Sequence, residues 1–322
     1  MLTLVNPSTD PRFNLAAEEY LLHHVDGEIV MLWRNEPSVI LGRNQNAFSE
    51  INADFVRREG IHVVRRITGG GAVFHDLGNV NFTFLPPSGS GGALDFARFT
   101  APVCEALRAL GIEAGLSGRN DLMAGGKKIS GNAQCVRTMD NGKKRVLHHG
   151  TLLYSTDLDR LENALTVDIE KIRAKGVKSI RARVGNIADL LPNAPDVTVF
   201  MQKLQEAFGG EQRGFSAEER EAITRLASKY ASWEYTYGVS RQYDRVCRKR
   251  FPFGTVEIQC SAEHGVLTAV HICGDYFGVR ETRELERRLE GTRLERKALE
   301  AALAHIGDYI AGATIDDILG ML

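Results

Sequence analysis

The apolar and polar positions of this chain change period several times, and each change marks an element. From Asn14 to Val25 the repeat is helical. Leu15, Glu18, Glu19 and Leu22 fall on one side, and Gly27 ends the run. Short apolar runs at 29–33 and 39–41 read as strands, separated by the turn at Asn35-Glu36-Pro37. A further strand is expected at 61–66, followed by three glycines and then 72–74. Residues 79–85 (NVNFTFL) alternate in the manner of a half-buried strand. The stretch 86–92 (PPSGSGG) has loop composition, and 95–110 returns to a helical repeat that Gly111 closes. Strands are expected at 121–124, 129–136 and 146–155. Helices are expected at 198–208 and from Ser216, where Ser216 and Glu219 form a capping box.

Between 234 and 249 the pattern weakens. Beyond it, 255–260 and 266–273 predict a hairpin across Glu263-His264-Gly265. Charged helices over 280–289 and 294–306 follow, and a short one starts near Thr314. The expectation is an α+β protein. Residues 1–245 form a mixed sheet with packed helices, and 246–322 form a small α+β unit with two strands.

Composition adds only exclusions. At 322 residues, 43% hydrophobic and 25% charged, the chain can bury a sizeable core without cross-links. A net charge of −1 gives no reason to expect nucleic acid or an anionic membrane as partner. The five cysteines lack the CxxC spacing of a zinc or redox site, which suggests reduced thiols, a cytoplasmic protein and no resident metal. The N-terminus lacks the basic and long apolar regions of a signal peptide, and no run is long enough to span a membrane.

The candidate chemistry lies in three segments. Gly69-Gly70-Gly71 follows Arg65-Arg66 and precedes Ala72-Val73-Phe74-His75-Asp76. Glycines let a phosphate or flat ring approach the backbone, their amides can donate to anionic oxygens, and the arginines add charge. A bare glycine run would be only a turn; its flanks favour a binding site. No GxxxxGK[ST] loop or GxGxxG turn is present, so a nucleotide site here is of another kind. The second segment, Gly118-Arg119-Asn120-Asp121 to Lys127-Lys128-Ile129-Ser130-Gly131, offers a lysine with small neighbours, hence a compact positive charge with room beside it. The third is His148-His149-Gly150-Thr151. The two histidines lack a third ligand at metal spacing; one hydrogen-bonding to substrate and one buried for packing are both open readings.

In this order and spacing, RRITGGGAVFHDLGNVNFTF, SGRNDLMAGGKKISGNAQ and HHGTLLYSTDL resemble the lipoate–protein ligase family. So do Arg12-Phe13-Asn14-Leu15-Ala16, Trp33-Arg34-Asn35, Gly42-Arg43-Asn44-Gln45-Asn46 and Lys178-Ser179-Ile180-Arg181-Ala182-Arg183-Val184. The resemblance implies the fold shared with biotin ligases, with a C-terminal accessory domain. It implies ATP-dependent activation of lipoate and transfer of the lipoyl group to a carrier lysine, with ATP and Mg²⁺ required. It further implies that Arg66 contacts the phosphates or adenylate and that Gly71, Ala72, Val73 and Phe74 hold the nucleotide by their backbone. Lys128 would contact both lipoate and nucleotide. Asn120 and Asp121 would line the same pocket, and His149 would lie near the acyl end. The implied partners are lipoyl domains of 2-oxoacid dehydrogenase complexes or the glycine cleavage H protein.

Three rivals remain. An ATP-independent octanoyl or lipoyl transferase needs a nucleophilic cysteine, and the loop 86–99 has none; Cys104 and Cys135 are the nearest candidates. A biotin ligase would carry a different glycine loop. A carrier-docking protein without catalysis would not need Arg66, the glycines and Lys128 together.

Overall fold

A computed structural model describes residues 1–90, 93–139, 141–166, 180–237 and 243–322. Its strands are β1 (Leu2–Val5), β2 (Ile29–Trp33), β3 (Ser38–Leu41), β4 (His62–Arg65), β5 (Val73–His75), β6 (Asn79–Leu85), β7 (Gly115–Ser117), β8 (Asp121–Ala124), β9 (Lys127–Thr138), β10 (Lys144–Leu153), β11 (Glu211–Arg213), β12 (Arg245–Phe251), β13 (Gly254–Glu263) and β14 (Val266–Gly274). Eight form one mixed sheet in the order β11-β1-β2-β6-β10-β9-β8-β7. The pairs at the β1 end are parallel, and those from β2 through β7 are antiparallel. β4-β3-β5 make a second sheet, and β12-β13-β14 a third.

Period-two alternation divides the large sheet between two cores. Val30 and Leu32 of β2 join Val80, Phe82 and Phe84 of β6 under the helices Phe96–Ala109 and Val197–Phe208. Ile29, Met31 and Trp33 point the other way, under the helices Pro11–His24 and Ala217–Ala231. Both faces are covered, so β2 and β6 are buried along their whole length. A third core joins Val39, Leu41 and Phe74 of the small sheet to Leu153 and Leu161.

The helix Pro11–His24 carries two side chains toward the site, and both its ends are fixed. Asp10 caps the start through the Arg12 amide. At the other end the buried Arg145 guanidinium donates to the carbonyls of Leu21, Leu22, Val25 and Gly27. The Leu21 carbonyl also accepts from the Val25 amide, so the guanidinium joins the last turn of the helix to the chain beyond it, and a cation there suits the helix dipole.

The C-terminal unit departs from the sequence expectation. It has three strands, because the weakly patterned stretch contains the helix Trp233–Tyr237 and the edge strand β12. β12 reads RVCRKRF and is largely exposed, so its charges obscure the strand period. Lysine and arginine on an edge also discourage pairing with other chains. The helix expected over 294–306 is split: Arg296–Ala302, then Ile306–Tyr309, with His305 between them at φ 63°. Its core gathers Val256, Ile258, Leu285, Leu299 and Ile310.

Candidate active site

A cavity of about 110 Å³ opens where the glycine loop meets β9 and β10. Of the residues expected at a site, Arg66, Gly71, Ala72, Val73, Asn120, Lys128 and His149 line it. Phe74 lies beneath it, with its side chain in the core. Asp121 reaches it through Lys128. Lys178 and Ser179 of the matched motif lie outside the described residues.

The two arginines before the glycines face opposite ways, as neighbours on a strand must. Arg65 donates to the carbonyls of Gly42, Arg43, Gln45 and Thr236, so it ties loops together away from the cavity. The buried Arg66 donates to Thr68 Oγ1 at 2.9 Å and to the carbonyls of Ile40, Gly69 and Gly71 at 3.0, 2.7 and 2.8 Å. Burial lowers its pKa to about 10, so it remains a cation at neutral pH. The glycine loop is thus wrapped around a buried positive charge. Gly42 backs the loop so closely that a Cβ there would collide with the Gly70 carbonyl, and Gly70 itself has φ 91°.

Lys128 is the second residue of β9, and its Nζ lies 2.8 Å from Asp121 Oδ1. The other Asp121 oxygen accepts from Arg183. A Cβ on Gly131 would stand 3.0 Å from Nζ, so the glycine leaves the space the lysine head occupies. The Asn120 and Asn132 side chains each donate to the other residue's carbonyl, fixing the loop before β8 against β9.

The two histidines also alternate across their strand. His148 lies outside the cavity lining, stacked on Phe82 and Phe99 and bonded to Gln134 and Asn132, and it serves packing. His149 faces the cavity. Its Nδ1 is 2.8 Å from Glu18 Oε1, and its Nε2 is 2.8 Å from Thr68 Oγ1. Thr83 donates to Glu18 at 2.6 Å and accepts from the Trp33 indole at 2.9 Å. A continuous chain therefore runs Trp33–Thr83–Glu18–His149–Thr68–Arg66. Thr68 accepts from Arg66, and its own hydroxyl proton is free to turn toward His149 Nε2, while Glu18 can only accept at Nδ1 when ionised.

Sequence reasoning did not identify Glu18, Thr68, Trp33 or Thr83 as site residues. One signal was present: Glu18 is a carboxylate in the apolar stripe of a helix.

His75, also in the cavity wall, accepts from Asn35 and is pushed by burial down to about 3. His148 is likewise held well below its ordinary range by burial. Both histidines are neutral in the folded protein, whereas in the unfolded chain they protonate near pH 6.5. Native stability is therefore full above about 6.5. Below that it falls as pH drops, for His75 by up to about 1.4 kcal/mol per unit until about pH 3, and His148 adds a loss of the same sign. The urea midpoint should be clearly lower at pH 5 than at pH 7; equal midpoints would contradict neutral burial.

The C-terminal unit touches the same loop. The Gly70 amide donates to the Tyr276 carbonyl at 3.3 Å, and the Phe277 ring lies against Gly70. Arg119 covers that ring from the other segment, its guanidinium carbon 4.5 Å from the centroid. Arg43 and Arg137 both pair with Glu281.

The family model described as the lipoyl protein ligase A/B catalytic domain matches residues 10–209. The chain belongs to that family. The model described as the bacterial lipoate protein ligase C-terminus matches 240–322. A lipoate–protein ligase of Bacillus subtilis is 38% identical, with 97% of each chain covered. Among solved structures, P. falciparum LipL1 in complex with lipoate aligns over 99% of this chain and 98% of that one, with TM-score 0.79 and 24% identity. A lipoate–protein ligase A bound with ATP covers 74% of this chain and 98% of its own, with TM-score 0.63 and 30% identity. The lipoate–protein ligase fold is therefore the fold of this enzyme. Among the described residues no group of three His, Cys, Asp or Glu could hold a metal, and no helix is long and apolar enough to cross a membrane.

Proposed function

We propose that this enzyme activates lipoate with ATP to lipoyl-AMP and transfers the lipoyl group to a specific lysine of a lipoyl carrier domain. The observation that carries the reading is one cavity with two chemistries. Leu15, Trp33, Ile40 and Ala133 suit an acyl chain. Arg66, Lys128 and the glycine backbone suit phosphate and carboxylate.

In the first half-reaction a carboxylate oxygen of lipoate attacks the α-phosphorus of ATP, and the bond to pyrophosphate breaks. Two anions must meet. Lys128 Nζ leaves Asp121 and holds the carboxylate and α-phosphate, acting as a compact charge in a water-poor site. Arg66 fixes the Gly69–Gly71 loop so that its backbone, continuing through Ala72, Val73 and Phe74, holds the nucleotide. Mg²⁺ bound to the ATP phosphates would screen the charge that shifts to pyrophosphate; among the described residues no group of three His, Cys, Asp or Glu could hold the ion without the nucleotide. Asn120 braces the pocket wall. Glu18 fixes the His149 ring beside Leu15 and Trp33, the apolar side of the cavity.

In the second half-reaction the carrier amine attacks the lipoyl carbonyl, AMP departs and the amine loses a proton. Both His149 nitrogens and both Asp121 oxygens already have partners. A proton-acceptor role for His149 needs one of its bonds to open, whereas Asp121 Oδ1 is vacated once Lys128 moves to the substrate, so Asp121 and desolvation of the carrier lysine share the deprotonation.

A cysteine-dependent transferase finds less support. Cys104 and Cys135 are absent from the cavity lining, and burial raises the pKa of both thiols. The same reading divides the chain into a catalytic unit, 1–245, and an accessory unit, 246–322, and places it in the cytoplasm, in keeping with its five free cysteines. Its carriers are the lipoyl domains of 2-oxoacid dehydrogenases or the glycine cleavage H protein.

Lipoate-dependent exchange of labelled pyrophosphate into ATP tests the first half-reaction. Exchange that requires lipoate and Mg²⁺ is expected. Its absence, with lipoyl transfer from a thioester donor instead, would overturn the reading.

A further inference from the structure

We propose that Arg183 is a positioning residue for Lys128, acting through Asp121. The inference rests on the reading of Lys128 as the anion-binding lysine. The ligand-free site poses a problem for that reading, because Lys128 Nζ is already paired with Asp121 Oδ1 at 2.8 Å. A carboxylate with no second cation would compete with the substrate for the lysine. Once the lysine turned away, that carboxylate would sit largely buried beside an incoming phosphate of the same charge.

Arg183 removes the difficulty by its geometry. It donates to Asp121 Oδ2, the oxygen that Lys128 does not use. Its position is set by the backbone. Val184 forms a parallel bridge with Lys128, and the Gly185 amide donates to the Lys128 carbonyl at 3.0 Å. The segment that carries the guanidinium is therefore stapled to the strand residue that carries the ammonium. Across β8 and β9 a register shift between Leu122 and Met123 brings Asp121 opposite Gly131 and Lys128 opposite Met123. Each oxygen of one carboxylate thus serves a different cation. When Lys128 moves to a phosphate, Asp121 stays held by Arg183, and the pair opens without leaving a bare charge. A fixed, planar guanidinium suits this standing role, and a flexible ammonium suits the exchanging one.

Competition of this kind weakens ground state and transition state alike, so it belongs in KM. The test measures lipoate-dependent ATP–pyrophosphate exchange on the full chain, with Tm recorded for every variant. Arg183→Gln should raise KM for ATP roughly tenfold, the scale of one charge-assisted hydrogen bond, with kcat changed far less. Arg183→Lys should recover most of the loss. In an Asp121→Asn background, where no carboxylate competes, adding Arg183→Gln should shift KM by less than about twofold. The proposal is overturned if Arg183→Gln leaves KM unchanged. It is equally overturned if the full tenfold shift persists beside Asp121→Asn, which would mean that Arg183 acts on the nucleotide itself or only on the fold. A wild-type protein that exchanges no pyrophosphate would overturn the ligase reading, and with it the role of Lys128.

Discussion

Replacing Lys128 with alanine should lower adenylate formation by about 10³-fold while the protein stays folded. The side chain is partly exposed at the cavity edge, and its removal leaves Asp121 still paired with Arg183. No buried charge is stranded, so Tm should move by no more than a few degrees. The chemical loss is large because, in the proposed mechanism, Nζ is the cation that moves to the substrate: Arg66 is held by four acceptors and cannot follow a phosphate as charge moves to the leaving pyrophosphate. Lys128→Arg should restore little, because a guanidinium is broader than the space Gly131 leaves. Pyrophosphate exchange and a melting curve on the same preparation check both halves. Exchange within tenfold of wild type would remove Lys128 from the site.

Arg66→Ala should damage both the fold and the activity. The guanidinium is buried and satisfies the carbonyls of Ile40, Gly69 and Gly71. Without it the buried carbonyls of Ile40 and Gly69 lose this donor, at about 1–3 kcal/mol each, and the partly exposed Gly71 carbonyl less, offset in part by relief of the buried charge. A net loss of about 3 kcal/mol, roughly 4–6 °C in Tm, is expected. Exchange should fall at least as far as in Lys128→Ala, because the glycine loop loses the centre it wraps. The same substitution also ends the chain Arg66–Thr68–His149–Glu18, so binding of lipoate alone, followed by calorimetry, should weaken as well. A variant with unchanged Tm and unchanged lipoate binding would show that the loop holds its shape without the arginine.

The parts of the fold readable from sequence were those where one physical rule acted alone. Ser216 and Glu219 form the capping box their spacing predicts. β6 is a strand as its alternation predicts, but not a half-buried one: helices cover both faces, and its Asn79, Asn81 and Thr83 are buried with the apolar positions. β12 was hidden because an exposed edge strand carries charge at nearly every position, so periodicity has no apolar face to reveal. The break at His305 depends on one left-handed residue that propensity does not announce.

In the site, the glycine loop and Lys128 were legible because both chemistry and room are local in the chain. Residues that act across it were not. Arg65 and Arg66 look equivalent as letters, and only strand alternation sends one to the carbonyls of Gly42, Arg43, Gln45 and Thr236 and the other into the glycine loop. His148 and His149 divide in the same way. Glu18 reaches His149 over 131 positions, and Arg183 reaches Asp121 over 62, distances no motif spans. The carboxylate in the buried stripe of the first helix was the one local sign of the first of these links.

The most direct measurement is the intact mass of an apo-lipoyl carrier domain after incubation with the enzyme in two tubes. One holds lipoate, ATP and Mg²⁺; the other holds octanoyl-carrier protein and no ATP. The account predicts a lipoyl mass added to the carrier lysine in the first tube alone, and its loss with Lys128→Ala. Acyl transfer in the second tube alone would contradict it and move the chemistry to a cysteine.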